Sequence, residues 1–227
     1  MKVVAIIQAR MGSNRLPGKV LKKICDIPVV IHVVNRVKQC RSIEDIIVAT
    51  SIKKENDELV DLLKKENIKF FRGSEDDVLG RFYRAAKENK ADIILRVTSD
   101  NPLIDYGLLD GLVEKLLEDN LDYCCNDKYP IGSSGEAFTF EALKKAFENA
   151  EKQYDREHVT PYIKKHKEIF KQDIISNYKD LSNVRITLDT IEDYQFISKI
   201  YENLFDKYPY FTTEDIITFL ESKGMIK

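Results

Sequence analysis

The sequence predicts an α/β protein, a largely parallel sheet with helices on both faces. Three observations carry that expectation. Short apolar runs of strand length recur through the first half of the chain. Stretches with apolar residues three and four apart lie between them, the spacing of a helix with one buried face. The first run empties into a loop rich in cations and glycine, and open α/β sheets bind ligands at the carboxyl ends of their strands.

Each element follows in order. Residues 3–7 (Val-Val-Ala-Ile-Ile) form an unbroken apolar run, as expected of a strand buried on both faces. A helix is expected over residues 29–37 and a strand over 46–50. The next helix spans residues 55–65, with Leu59, Leu62 and Leu63 inward. A strand follows at residues 69–71. The helix over residues 74–90 has Ser74 as its cap, Asp76 and Asp77 at its positive end, and Val78, Leu79, Phe82, Tyr83 and Ala86 as its buried stripe. Strands follow at residues 93–98 and 121–125.

The rhythm changes from about Asn126. Residues 129–135 (Tyr-Pro-Ile-Gly-Ser-Ser-Gly) are rich in turn formers. Two amphipathic stretches follow, at residues 140–150 and 159–167. Residues 184–188 read as a strand leading into a helix at 191–205. A final helix over residues 214–222, capped by Thr213, is expected to pack against the sheet edge. The chain therefore reads as one domain, residues 1–227, with 126–183 an elaboration on the sheet.

Composition narrows the function. With 36 Lys and Arg against 38 Asp and Glu, a formal charge of −2, the chain lacks the basic excess of a nucleic-acid surface. No apolar segment approaches the ~20 residues that span a bilayer. Lys2 before a brief strand is not signal-peptide-like, so a cytoplasmic protein is expected. The four cysteines, Cys25, Cys40, Cys124 and Cys125, form no CxxC pair, which points to buried thiols rather than zinc. Neighbouring Cys124 and Cys125 are expected on opposite faces of a strand.

The chemistry concentrates in residues 8–19, Gln-Ala-Arg-Met-Gly-Ser-Asn-Arg-Leu-Pro-Gly-Lys. Arg10, Arg15 and Lys19 share this loop with Gly12 and Gly18. Fixed positive charge and exposed backbone N–H groups at a strand end suit a nucleotide's phosphates; a solvated basic loop is the plainer alternative. It is not a Walker loop. Five residues separate the glycines and Val20 follows Lys19, so no hydroxyl stands where magnesium would need it. Asp100 follows the strand at 93–98, and Asp189 follows residues 184–188. Two carboxylates at strand ends facing a cationic loop suit Mg²⁺, which takes one or two carboxylates plus phosphate and water. Each also has a local reading, an Asx turn for Asp100 and a helix-end charge for Asp189.

Residues 8–21 resemble the signature of the cytidylyltransferases that activate sugars. These are the CMP-ulosonate and CMP-sialate synthetases and, more closely, the spore-coat polysaccharide SpsF-type branch, with its strand followed by Gln-Ala-Arg-x-x-Ser-x-Arg-Leu-Pro-Gly-Lys-x-Leu. Further motifs follow in the family's order. Residues 99–104 (Ser-Asp-Asn-Pro-Leu-Ile) resemble Gly-Asp-x-Pro-Leu-Ile with Ser for Gly, and residues 189–193 (Asp-Thr-Ile-Glu-Asp) resemble the second metal segment with Ile where Pro is common. The resemblance implies a three-layer, Rossmann-like nucleotidyltransferase fold with a mostly parallel mixed sheet. It implies that Arg10, Arg15 and Lys19 grip a triphosphate, with Gln8, Ala9, Gly12 and Ser13 beside the nucleotide and Mg²⁺ on Asp100 and Asp189. It also implies a base pocket at Arg72, Gly73, Ser74 and Asp77.

Residues 129–136 resemble Tyr-Pro-x-Gly-x-x-x-Glu, where relatives bind the acceptor, so Tyr129, Gly132 and Glu136 become acceptor candidates. Glu136 reads equally as an exposed strand carboxylate. Residues 157–162 (Glu-His-Val-Thr-Pro-Tyr) also match the branch. His158 is a candidate for a phosphate or carboxylate of the acceptor, or a structural histidine. The expected reaction transfers CMP from CTP to an acidic sugar or sugar phosphate, releasing pyrophosphate. Rivals are a guanylyl- or other sugar-phosphate nucleotidyltransferase, a glycosyltransferase of related fold, and a nucleotide-binding regulatory module. The resemblance further implies a homodimer, with 126–183 and its aromatic residues at the contact.

Overall fold

A computed structural model describes residues 1–226. Nine strands and nine α-helices are assigned among them. A seven-stranded sheet runs in the order β5 (Phe70–Gly73), β4 (Asp45–Ser51), β1 (Val3–Gln8), β6 (Ile93–Thr98), β8 (Glu136–Thr139), β7 (Tyr123–Asp127), β9 (Gln172–Ser176). Only β8 runs against the others; β1 pairs in parallel with both β4 and β6. The expected α/β class and mostly parallel mixed sheet are therefore present.

The central strand shows why its sequence is apolar throughout. Val3, Ala5 and Ile7 enter one core cluster, with helices α1 (Val29–Val37), α2 (Asp57–Lys65) and α4 (Tyr106–Glu118). Val4 and Ile6 enter the other, with α3 (Val78–Glu88) and α5 (Phe140–Asn149). Alternate side chains of one strand thus supply both layers. Cys124 and Cys125 divide in the same way, Cys124 in the first cluster and Cys125 packed against the second. All four cysteines are free thiols.

A third cluster lies beyond the sheet. Val184, Ile186 and Leu188 join α8 (Ile191–Leu204) and α9 (Thr213–Ser222) there, over Leu16 and Leu103. The last helix thus packs against α8 rather than on the sheet edge. It begins one residue earlier than expected and is capped by Thr212, whose hydroxyl accepts from Asp215 N while the Asp215 carboxylate accepts from Thr212 N. This reciprocal capping box outcompetes Thr213, whose own N–H is bound to Asp105.

Other expectations shift for local reasons. Helix α3 starts at Val78, capped by Asp77, and Ser74 instead accepts from the Asp77 N–H. Residues 184–188 are extended but form only an isolated bridge, Arg185 to Ile131, rather than a strand. The segment 126–183 is woven into the sheet, supplying β8 in its interior and β9 at its edge. Its aromatic residues are largely internal: Phe138 and Phe170 are buried, and Phe140, Phe147 and Tyr162 pack on the same cluster. Of the stretch at 159–167 only α7 (Pro161–Lys165) is helical, and a further helix, α6 (Gln153–His158), precedes it across Val159. No helix among the described residues is long and apolar enough to cross a membrane.

Candidate active site

The loop after β1 is shaped by its backbone. Met11 O accepts from both Ser13 N and Gly18 N, and the buried Asn56 side chain accepts from Met11 N at 2.9 Å. Gly18 sits at φ 66°, where a side chain is strained, and turns the chain into a short 3₁₀ turn, Lys19–Leu21. Lys19 is thereby directed inward and is 8% exposed.

The Lys19 ammonium is the hub of the site. Nζ donates to Asp100 Oδ2 at 3.0 Å, to Asp189 Oδ1 at 2.9 Å and to Leu188 O at 2.8 Å, using all three of its protons. The two carboxylates that stand 89 positions apart in the chain therefore meet on one cation. Backbone pairing helps, because Leu188 N donates to Asp100 O at 2.7 Å. Asn101, not Asp100, makes the turn contacts to Thr98, and Asp189 stands directly before the Thr190 cap of α8, whose capping box is completed by Asp193.

Arg15 reaches Asp189 at 3.2 Å, and Arg185 binds the same carboxylate. Partial burial alone would raise the pKa of Asp189. The hydrogen bond and charge of Lys19, joined by Arg185 and Arg15, outweigh burial and hold it below the usual carboxylate range. Arg10 pairs with Glu75 at 3.1 Å. The side chains of Arg10 and Arg15 remain 49% and 67% exposed, so both retain surface toward solvent.

These groups line one cavity of about 410 Å³ at the carboxyl ends of β1 and β6. From the loop come Gln8, Arg10, Gly12, Ser13, Arg15 and Lys19; Asp100, His158 and Asp189 face them. Ala9 is buried beneath, its N–H bound to Ala49 O. Asn14, Thr98 and Ser99 also line the cavity and were not singled out in the sequence. Glu75 and Arg185 were also missed; a charge beside each motif was the available signal.

The expected base pocket lies outside this lining. The Arg72 guanidinium is held by Ser51 O, Lys53 O and Asp57. Asp77 caps α3 and forms a two-pronged pair with Arg156. Gly73 packs so closely that a Cβ would stand 3.0 Å from Arg81 Cγ. Ser74 is engaged by the Asp77 N–H. None of these four residues lines the cleft.

The acceptor candidates divide. His158 lines the cleft, whereas Tyr129 lines a separate cavity with Asp105 and Thr212. Gly132, at φ 101°, has no room for a side chain, since a Cβ would come within 2.6 Å of Thr187 Oγ1 and 3.0 Å of its backbone N. Glu136 is neither exposed nor free. At 8% exposure it pairs with Arg96 and Lys164 and accepts from Tyr123 at 2.6 Å and Thr160 at 3.1 Å. Burial works to raise its pKa, but Arg96 and Lys164 prevail and bring it down to about 2.

A carboxyl whose folded pKa falls from 4.5 to about 2 contributes stability that is fully present above pH 4.5. That contribution, about 3 kcal/mol, is lost as pH falls through the folded value. Urea unfolding between pH 7 and 3 should therefore show Glu136→Gln less stable at neutral pH and flatter toward acid than the native chain. Parallel pH profiles would contradict this account of Glu136.

Between α6 and α7 the backbone is strained. Val159 has φ 72° and ψ −57°, and Thr160 N donates to His158 O at 2.9 Å, closing a three-residue γ-turn. That turn is rare and strained for any residue, more so for a β-branched one. Full burial of Val159 in the second cluster holds it in place.

A mostly parallel sheet that brings a cationic loop and a carboxylate pair into one cleft at its strand ends, together with the family match, makes the protein a nucleotidyltransferase enzyme. The chain belongs to the cytidylyltransferase family, whose model matches residues 4–222. The spore coat polysaccharide biosynthesis protein SpsF of Bacillus subtilis is 34% identical over 96% of this chain and 93% of its own length. The structure of a cytidylyltransferase from Leptospira borgpetersenii has a TM-score of 0.94 at 33% identity, covering 99% of this chain and 96% of that one. A 3-deoxy-manno-octulosonate cytidylyltransferase of Geobacter sulfurreducens is 32% identical over 52% of this chain and 46% of that protein.

Proposed function

We propose that this enzyme transfers CMP from CTP to an anionic sugar, releasing pyrophosphate, in the assembly of a polysaccharide. The observation that carries the reading is the convergence of Asp100 and Asp189 on Lys19, opposite Arg10 and Arg15. The relatives' names, a spore coat polysaccharide protein and a ulosonate cytidylyltransferase, support the reaction class.

An acceptor oxygen attacks the α-phosphorus of CTP; the new P–O bond forms as the bond to the bridging oxygen of pyrophosphate breaks. Chemistry of this kind needs alignment and charge neutralisation more than covalent participation. Arg10 and Arg15, each exposed and each holding one carboxylate, can turn to the β- and γ-phosphates and then to departing pyrophosphate. Lys19 stays buried as the shared counter-ion of the two aspartates. This divides the three cations into two that bind phosphate and one that organises the carboxylates.

The donor set also fits magnesium. Two hard carboxylates share one face of the cleft, and among the described residues no group of three or more His, Cys, Asp or Glu side chains forms a closed cage. Such a pair leaves positions for phosphate oxygens and water, as Mg²⁺ prefers. Held by Asp100 and Asp189, the ion would polarise the α-phosphate.

The test is pyrophosphate release with each of the four nucleoside triphosphates, with and without Mg²⁺, against ulosonic acids, sialic acids and sugar phosphates. Magnesium-dependent release with CTP and an anionic sugar is the expected result. Preference for another base would overturn the CTP assignment, and failure to bind any triphosphate would overturn the whole reading.

A further inference from the structure

The aromatic residue of the motif at 129–136 does not enter the cleft. Tyr129 lines a cavity of about 470 Å³ between the loop at residues 177–181 and the first turns of α9. An ion pair of Lys179 with Glu221, at 2.8 Å, ties that loop to the helix. No residue lines both this cavity and the cleft, so a ligand here competes with neither nucleotide nor acceptor.

The charge on its walls narrows what it can hold. Two helices begin here, α4 behind its cap Asp105 and α9 behind its cap Thr212. Their positive ends would attract an anion, but three carboxylates, Asp105, Glu214 and Glu221, stand against the single ammonium of Lys179. A phosphate or carboxylate is therefore disfavoured. A cation is not called for either. Buried Asp105 already accepts from Gly107 N, Leu108 N and Thr213 N, and Glu221 has Lys179. Only Glu214, exposed to solvent, is left over.

The remaining wall offers hydroxyls, an amide and aromatic faces. Thr213 is 8% exposed, yet its hydroxyl has no hydrogen-bond partner, an uncommon state for a buried polar group. Burial and the neighbouring Asp105 charge raise the pKa of Tyr129, which keeps its hydroxyl protonated and able to donate. Tyr178, 99% exposed, leaves both faces of its ring almost without contact. Aromatic faces beside a few placed donors and acceptors complement a ring that is apolar on its C–H faces and hydroxylated at its edge.

We propose that this cavity binds a neutral saccharide, its pyranose ring set against Tyr129 and Tyr178 and its hydroxyls on Asn177, Thr213 and Glu214. The site is separate from the cleft, and its occupancy does not depend on the reaction carried out there. An enzyme with such a site holds a neutral sugar at one place while an anionic one reacts at another.

The decisive experiment titrates glucose, galactose, mannose and N-acetylglucosamine into the ¹⁵N-labelled protein, native and Tyr178→Ala, with glucose 6-phosphate as the anionic control. A neutral sugar should bind with a Kd of about 1–10 mM, the range open to so small a ligand. It should move the backbone amide signals of residues 177–181 and 212–214 and leave those of residues 8–19 in place. Glucose 6-phosphate should bind there about tenfold more weakly than glucose, or not at all. Tyr178→Ala should weaken the sugar about tenfold with unchanged thermal unfolding, since the ring is exposed. Tyr129→Phe, which keeps the ring and removes one hydroxyl, should weaken it about threefold to tenfold. Silence with all four neutral sugars, shifts confined to the cleft, equal binding of glucose 6-phosphate, or an unchanged affinity in Tyr178→Ala would overturn the site.

Discussion

Lys19→Met is expected to lower the rate of CTP-dependent pyrophosphate release by about 10², the loss typical when groups that act on the substrate are misplaced by about 1 Å. Methionine keeps the buried stem and removes the ammonium, so the fold should survive. Asp100 and Asp189 would then face each other without the cation that both now contact. Their mutual repulsion would go uncompensated by Lys19, and the carboxyl of Asp189, which Lys19 holds low, would rise toward ordinary values. The acid limb of the pH–rate profile should accordingly move to higher pH. A variant within threefold of the native rate, with an unmoved acid limb, would remove Lys19 from this role.

A larger effect is expected at the aspartates themselves. Asp100→Asn or Asp189→Asn should reduce magnesium-dependent turnover by about 10³ or more, since a metal contributes several kcal/mol of charge stabilisation. Asparagine retains size and an oxygen, so Lys19 keeps a weaker partner and the segment around Leu188 stays docked. CTP binding measured without metal should persist, because Arg10 and Arg15 are untouched. Full turnover in either variant would take that aspartate out of the metal site.

The most legible parts of the fold were those whose side chains face a core on both sides. β1 is apolar from Val3 to Ile7, β6 is apolar but for Arg96 and its last residue Thr98, and α1 begins after Pro28 and ends where expected, at Val37. β8 was hidden because it is four residues long, opens with a charged Glu136 and passes directly into α5. β9 was hidden because it is an edge strand that leaves Asp173 and Ile174 exposed. Residues 184–188 misled for the opposite reason. Val184, Ile186 and Leu188 alternate like a strand, yet they bury against α8 and α9 rather than pairing in the sheet.

The site followed the same division. The cationic loop was visible because its chemistry is contiguous in the chain. The meeting of Asp100 and Asp189 depends on Lys19 and on the backbone bond from Leu188, which no spacing reveals. Arg96 gave a signal that went unused, a charged residue inside a strand of buried apolar neighbours. The positive φ at Val159 gave none, since no sequence rule places valine there.

The placement of β8 has a consequence for how the chain assembles as it is made. Strands β5, β4, β1 and β6 complete a four-stranded parallel sheet from residues 3–98 alone. β7 follows in the chain but pairs only with β8 and β9, both of which come later. Until residues 136–139 arrive, one edge of β6 is bare, and the nascent protein carries a row of unpaired amides and carbonyls beside Asp100. Insertion of one short antiparallel strand closes that edge and fastens the two halves of the sheet together. The strand that carries Glu136 is thus also the last interior piece of the sheet, and it guards the edge of β6 against edge-to-edge aggregation before His158 and Asp189, which finish the cleft, have been made.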